Sequence, residues 1–115
     1  MAENGFTELK LSAKILIVDD HQAVRTTLRE LLDWHSFRVC GDAKDGKEAI
    51  ERVIELKPDI VLLDINMPGM NGVAAAQEIR RVSPSTKIVF LTVHDAPDFK
   101  VGARPWAHGF VPKSD

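Results

Sequence analysis

Carboxylates follow two of the apolar runs in this sequence. Asp19 and Asp20 come directly after residues 15–18, and Asp64 comes directly after residues 60–63. Each apolar run has the length and composition of a buried strand. An isolated charge in a dry core is very costly, so such an acid lies at the rim of the protein or has a partner. Asp64 is therefore either at the rim of the sheet or compensated by a partner.

A hard divalent cation would compensate these acids if they converge. Three carboxylates a few ångströms apart repel one another, by roughly 1 to 4 kcal/mol for each pair at about 4 Å. A few oxygen ligands with room for water suit Mg²⁺ better than a caged Ca²⁺. The sequence has neither the ligand spacing of an EF-hand loop nor a Cys/His cluster typical of zinc sites. We therefore expect Mg²⁺ at Asp19, Asp20 and Asp64.

The same acids could perform phosphoryl chemistry. A carboxylate attacks a phosphoryl group when the negative charge of both partners is neutralised, which a metal and a lysine can do. Asp64 is the candidate acceptor, and Lys113 is the candidate second positive charge. Thr92 ends another apolar run, residues 87–92, and its hydroxyl could donate a hydrogen bond to a phosphoryl oxygen.

The elements that must position these residues alternate along the chain. The pattern predicts helices over residues 21–33, from after Gly46 to just before Pro58, and over 71–82, between strands at 14–20, 37–43, 60–64, 87–92 and 109–111. Such alternation is typical of βαβ units, and it predicts an α/β protein with a parallel sheet covered on both faces. Ligands of such sheets bind outside the carboxyl ends of the strands, where the acids and Thr92 would meet.

The composition is that of one globular domain. Its 115 residues have a formal net charge of -2, which gives no electrostatic footprint for nucleic acid. Cys40 is the single cysteine, so an internal disulfide is excluded. No stretch has the length of a membrane span, and the first residues lack a signal-peptide pattern. We expect a cytoplasmic protein that binds neither nucleic acid nor membrane.

Four segments of the sequence, in this order, resemble the motifs of a known protein family. They are Val18-Asp19-Asp20-His21, the segment from Leu63-Asp64-Ile65-Asn66 through Met67-Pro68-Gly69-Met70-Asn71-Gly72, the pair Leu91-Thr92, and Gly109-Phe110-Val111-Pro112-Lys113. Over residues 14–113 the chain resembles a two-component response-regulator receiver domain. The stretches around Asp20, Thr92 and Lys113 resemble the NarL/FixJ-type subgroup.

The resemblance implies a flavodoxin-like, doubly wound parallel five-stranded sheet with strand order 2-1-3-4-5. It also implies a phospho-accepting signalling switch, not an enzyme, that receives its phosphoryl group from a sensor histidine kinase and controls a transcriptional output domain. Asp64 would be the phospho-acceptor. Asp20 would bind Mg²⁺ directly, Asp19 through water, and Asn66 through its main-chain carbonyl.

The resemblance also assigns the response to phosphate. Thr92 and Lys113 would grip the phosphoryl group. Phe110, three residues before Lys113, matches the position of the switch aromatic, whose rotation would follow the movement of Thr92 toward the phosphate.

Two departures from the family pattern concern the surface that reports phosphorylation. Gly102 and Pro105 predict a short or irregular fourth helix over residues 97–104. The sequence ends at Asp115, where a fifth helix would follow, so we expect a C-terminally truncated receiver domain over 14–115 behind an N-terminal tail, 1–13. The missing helix should expose an apolar patch, which a homodimer or the tail would cover.

Two other functions compete with the switch. In a Mg²⁺-dependent phosphohydrolase of the haloacid-dehalogenase type, a second acid stands two residues after the nucleophile. That position is Asn66 here, which argues against turnover. A receiver-shaped interaction module that is never phosphorylated is the other alternative. The complete set of acids, Thr92 and Lys113 argues against it.

Overall fold

Strands and helices alternate along the chain in a computed structural model that describes residues 13–67, 69–92 and 104–112. In chain order they are β1 (Lys14–Val18), α1 (Gln22–Trp34), β2 (Arg38–Ala43), α2 (Gly46–Leu56), β3 (Ile60–Asp64), α3 (Gly72–Val82), β4 (Lys87–Thr92) and β5 (Gly109–Pro112). A short 3₁₀ turn, Arg104–Trp106, precedes β5. The predicted bounds of these strands and helices agree with the observed ones to within about one or two residues.

The strands form one parallel sheet of five strands with the order β2-β1-β3-β4-β5. This confirms the predicted α/β, flavodoxin-like doubly wound sheet of order 2-1-3-4-5. The central strands are continuous apolar runs because a parallel sheet is covered on both faces. Leu16, Ile17, Leu63 and Phe90 are accordingly fully buried.

Two of the helices begin at side-chain caps. The Asp45 carboxylate accepts a hydrogen bond from the Glu48 amide (2.8 Å) at the start of α2, and the Asn71 side chain accepts one from the Ala74 amide (2.9 Å) at the start of α3. Each cap satisfies a backbone donor that the helix itself leaves unpaired. Helix α1 instead begins after His21, whose side chain makes no capping bond.

Helix α1 covers its side of the sheet incompletely. It is strongly amphipathic, yet every one of its residues keeps some solvent exposure. An apolar groove of about 420 Å³, here called the α1 groove, runs between α1 and the ends of β4 and β5. It is lined mainly by Val24, Leu28, Leu31, Leu91 and Val111. Leu31 and Val111, which line this groove, are 52% and 44% exposed.

Some predictions concern parts of the chain outside the described residues. They are the tail up to residue 12, the irregular helix over residues 97–104 apart from its last position, Lys113, and the chain after it. No helix within the described ranges is both long and apolar enough to cross a bilayer.

Candidate functional site

The ends of β1, β3 and β4 bring the predicted acids and the threonine to one edge of the sheet. Val18 pairs with Leu63, so Asp19 and Asp64 follow side by side on neighbouring strands. Asp64 pairs with Leu91, so Thr92 lies one residue further along the next strand. Neighbouring strands are about 4.8 Å apart, so Asp64 is flanked by Asp19 on one side and Thr92 on the other, while Asp19 and Thr92 are separated by two strand spacings, about 10 Å.

The members of this group differ in how much of each is exposed to solvent. The residues Asp19, Asp64 and Thr92 are 0%, 2% and 2% exposed, whereas the Asp20 side chain retains 24% of its exposure. Buried carboxylates are stable as anions only when hydrogen bonds or cations compensate them. Asp20 is therefore the acid of this group that solvent can reach.

Backbone amides hold both buried carboxylates in the same way. Asp19 Oδ1 accepts a hydrogen bond from the amide of His21 (2.9 Å), and Asp64 Oδ1 accepts one from the amide of Asn66 (3.2 Å). In each case an aspartate bonds to the backbone two residues on, the geometry of an Asx turn. These bonds fix the direction of each carboxylate relative to the strand end.

His21 is a member of this group that the sequence analysis did not assign. Its Nδ1 atom lies 3.3 Å from Asp19 Oδ1 and 3.2 Å from Asp20 Oδ1, while the side chain remains 66% exposed. Which ring nitrogen carries a proton decides whether Nδ1 donates to these oxygens. The position of His21 directly after Asp20 in the sequence is the signal that could have placed it in this group.

The acids of the first loop form a cluster that suits a cation. One ligand atom from each of Asp19, Asp20 and His21 lies within 4.8 Å of the others. Two carboxylates at this spacing attract a small, hard cation, and such cations take oxygen ligands and retain several waters. The partly exposed Asp20 leaves room for those waters. The donor set therefore fits Mg²⁺, the ion expected from the sequence.

Thr92 contributes a buried hydroxyl to this edge. Its Oγ1 atom has no hydrogen-bond partner among the described residues. A buried hydroxyl without a partner is costly, and a site that leaves one in place commonly uses it for a ligand. Pro112 pairs with Thr92 across β4 and β5, so Lys113 follows at the next position of the chain, outside the described residues.

Gly72 allows the loop after β3 to return to the acceptor strand. Its amide donates to the carbonyl of Ile65 (2.8 Å). A Cβ atom at this position would lie 2.3 Å from the Asp64 carbonyl oxygen and 2.6 Å from Ile65 Cα. A side chain there would displace the backbone of Asp64 itself. Gly72 belongs to the motif that follows Asp64, but no pattern in the sequence predicts this contact.

Phe110 packs against the core beneath the site. Its ring stacks on that of Phe90, with centroids 5.8 Å apart and planes at 24°. The side chain is partly buried, and Phe110 pairs with Phe90 two positions before the level of Thr92. The predicted switch aromatic is thus a packed residue in this structure.

Comparison with protein families identifies one match over most of the chain. The model for the response regulator receiver domain matches residues 15–114. Chemotaxis protein CheY of Thermotoga maritima is 43% identical over 79 residues, which cover 69% of this chain and 66% of that protein. Response regulator GacA of Pseudomonas syringae is 42% identical over 87 residues, covering 75% of this chain and 41% of GacA. The chain thus spans about two fifths of GacA.

Solved structures agree with this match. A two-component response regulator of the LuxR family from Aurantimonas sp. SI85-9A1 has a TM-score of 0.83 at 35% identity, covering 90% of this chain and 75% of that one. The signal receiver domain of the response regulator NarL from Mycobacterium tuberculosis has a TM-score of 0.80 at 33% identity, covering 90% and 85%. These neighbours include the NarL-type receivers that the sequence resembles.

Proposed function

This chain belongs to the response regulator receiver domain family of two-component signalling, and we propose that Asp64 accepts a phosphoryl group from a sensor histidine kinase. One observation carries the proposal: two buried carboxylates and a buried threonine hydroxyl stand together at the carboxyl edge of the sheet. Mg²⁺ would be held directly by Asp20 and Asp64, by the main-chain carbonyl of Asn66, and by Asp19 through water.

The proposed reaction transfers the group between two side chains. An oxygen of the Asp64 carboxylate attacks phosphorus, the N–P bond of the kinase phosphohistidine breaks, and its electron pair returns to the imidazole. Mg²⁺, when bound, neutralises charge on the carboxylate and on the phosphoryl oxygens. The Thr92 hydroxyl donates to one phosphoryl oxygen, and the Lys113 ammonium pairs with another. The product is an acyl phosphate on Asp64.

The neighbourhood of Asp64 supports storage of this phosphate over turnover. A hydrolase needs a general acid or base close to the bond that breaks. The residue two positions after Asp64 is Asn66, an exposed residue whose neutral amide side chain does not act as a general acid or base at neutral pH. We therefore propose a signalling switch without a hydrolytic cycle of its own.

The response would pass through Thr92 and Phe110. Movement of the Thr92 hydroxyl toward the phosphate empties space near the end of β4, and Phe110 turns toward it. That rotation would break the ring stack between Phe110 and Phe90. GacA is named a response regulator, and DegU of Brevibacillus brevis, 40% identical to this chain over 83 residues, is named a transcriptional regulatory protein. We therefore propose a cytoplasmic switch that controls transcription through an output domain.

Intact-mass measurement tests the acceptor. The chain is incubated with Mg²⁺ and a small acyl phosphate donor, with Asp64→Asn as the test variant. Asp33→Asn removes an exposed acid of α1 and serves as the control. We expect one phosphoryl group on the wild type and on Asp33→Asn, and none on Asp64→Asn.

Each other outcome points to a different function. Absence of any adduct on the wild type would contradict the switch and favour an interaction module. Rapid, continuing consumption of the donor without an accumulated adduct would favour a phosphohydrolase. An adduct that persists in Asp64→Asn would place the acceptor elsewhere.

A further inference from the structure

Arg25 connects the loop that carries the acids to two other elements. Its Nη1 atom donates to the main-chain carbonyl oxygen of Asp19 (2.8 Å), and its Nε atom lies 3.3 Å from Asp42 Oδ2 on β2. The Arg25 side chain is only 16% exposed, compared with 45% for Asp42. A guanidinium presents several donors in a rigid plane, so one side chain can hold both partners at once.

The contact with Asp19 acts on the backbone between the two acids. The Asp19 carbonyl belongs to the peptide that joins Asp19 to Asp20, and a peptide unit is planar. A hydrogen bond that fixes the carbonyl oxygen therefore also fixes the orientation of the Asp20 amide and the direction in which Asp20 leaves the strand. The His21 amide holds Asp19 Oδ1 from the other side (2.9 Å).

An ordinary surface ion pair is the simpler explanation of Arg25. A pair with a half-exposed acid such as Asp42 contributes little to stability. The ion pair does not account for the donation to Asp19, which is the shorter of the two contacts and lies at the site. The two explanations differ in what the removal of Arg25 does to a bound cation.

We propose that Arg25 is a positioning residue for the acid pair: it sets the peptide between Asp19 and Asp20 so that Asp20 binds one divalent cation directly and Asp19 binds it through water. The proposal rests on the proposed function for the identity of that cation. If Arg25 acted through its charge alone, its removal would strengthen cation binding, because like charges repel. A positioning role predicts the opposite sign.

Calorimetric titration with Mg²⁺ alone, without a phosphodonor, separates these cases. In Arg25→Met we expect affinity to fall about tenfold, because a hydrogen bond to a charged donor is lost. Arg25→Lys keeps one donor and should recover part of the affinity. Asp42→Asn keeps the contact with Asp19 and should stay within about twofold of wild type. Arg29→Met, one turn further along α1, is the matched control.

Unchanged or tighter Mg²⁺ binding in Arg25→Met would overturn the proposal. Hydrogen exchange in the absence of metal gives a second readout. The His21 amide should lose protection in Arg25→Met relative to wild type and Arg29→Met while the amides of β3 keep theirs. Equal protection in all three would also overturn it. Both readouts omit the phosphodonor, so a failure to phosphorylate Asp64 would be seen separately.

Discussion

The loop after β3 approaches the proposed acceptor so closely that one position has no room for a side chain. In Gly72→Ala the new methyl group would meet the Asp64 carbonyl at 2.3 Å, and this contact is with backbone that cannot swing aside. We expect the free energy of unfolding to fall by about 1 to 3 kcal/mol, as overpacked positions typically do. Because the shift occurs at Asp64, phosphorylation by a small donor should slow as well.

Gly109→Ala is the matched control for this substitution. The nearest side-chain atom to a Cβ at that position is 3.8 Å away, an ordinary contact. Chemical denaturation and the rate of adduct formation should both stay near wild type in Gly109→Ala. A Gly72→Ala protein with wild-type stability and rate would show that the loop can relax without moving Asp64.

At the residue scale, the sequence predicted the acids and the threonine of the site but not the contacts of Arg25 that hold the acids in place. Asp19, Asp20, Asp64 and Thr92 follow apolar runs, and the parallel topology brings the ends of such runs to one edge. Arg25 gave no comparable signal, because its partners come from β2 and from the end of β1. Contacts of that kind depend on tertiary register, which the local pattern does not contain.

At the scale of elements, β5 is joined to the sheet partly through a histidine. The amide of Ile88 on β4 donates to His108 Nδ1 (3.0 Å), and the His108 amide donates to the Ile88 carbonyl (2.6 Å). The side chain thereby extends the β4–β5 ladder by one step beyond Gly109. Only the unprotonated Nδ1 atom can accept this bond.

This contact predicts a pH dependence of stability. Partial burial lowers the pKa of His108, and the charges of Arg80 and Lys87 lower it further. The unfolded chain, with a pKa of about 6.5, then binds protons more readily than the folded one. The stability from this contact is present above that value and is lost as the pH falls through the lower folded pKa.

Thermal unfolding at about pH 7.5 and about pH 5.5 measures this effect. His108→Ala should be less stable than wild type at the higher pH, and the difference should shrink at the lower pH. His35→Ala, which removes an exposed histidine after α1, is the control for histidine titration elsewhere. A wild-type advantage over His108→Ala that grows on acidification would contradict the assignment. The effect should be small, because the His108 side chain is largely exposed.

The buried hydroxyl of Thr86 links the loop before β3 to the loop before β4, at the edge of the sheet opposite the acids. Thr86 Oγ1 donates to the Pro58 carbonyl (2.9 Å) and lies 2.6 Å from Ser83 Oγ, and Thr86 is 1% exposed. Thr86→Val keeps the shape but leaves the buried carbonyl unpaired, which should lower the free energy of unfolding by about 1 to 3 kcal/mol. Denaturation should show this loss, with Mg²⁺ affinity unchanged because the site lies at the other end of the strands. Weaker Mg²⁺ binding would contradict that separation.

At the scale of the whole molecule, the order of elements predicted the architecture because each apolar run had a clear period. The strand bounds of β4 and the end of α3 at Val82 match the prediction, since Pro84 and the switch of periodicity mark them clearly. Helix α3 begins at Gly72 because Asn71 caps it, one residue later than predicted. How far α1 covers the sheet could not be predicted, since it depends on how closely the helix packs.

The α1 groove leads to a prediction about association of the full chain. Two copies packed with their α1 helices antiparallel would bury both grooves, an arrangement with two-fold symmetry. We therefore expect sedimentation coefficients to rise with protein concentration, as an exposed apolar patch favours association.

Two substitutions of similarly exposed apolar residues decide where that association occurs. Leu31, 52% exposed, lines the groove, whereas Ile54, 58% exposed, lies on α2. A glutamate in the groove would be buried without a partner in the dimer, so Leu31→Glu should stay monomeric at concentrations where wild type and Ile54→Glu associate. A wild type that remains monomeric throughout would show that the α1 groove does not bind a second copy. Loss of association in Ile54→Glu alone would move the interface to α2.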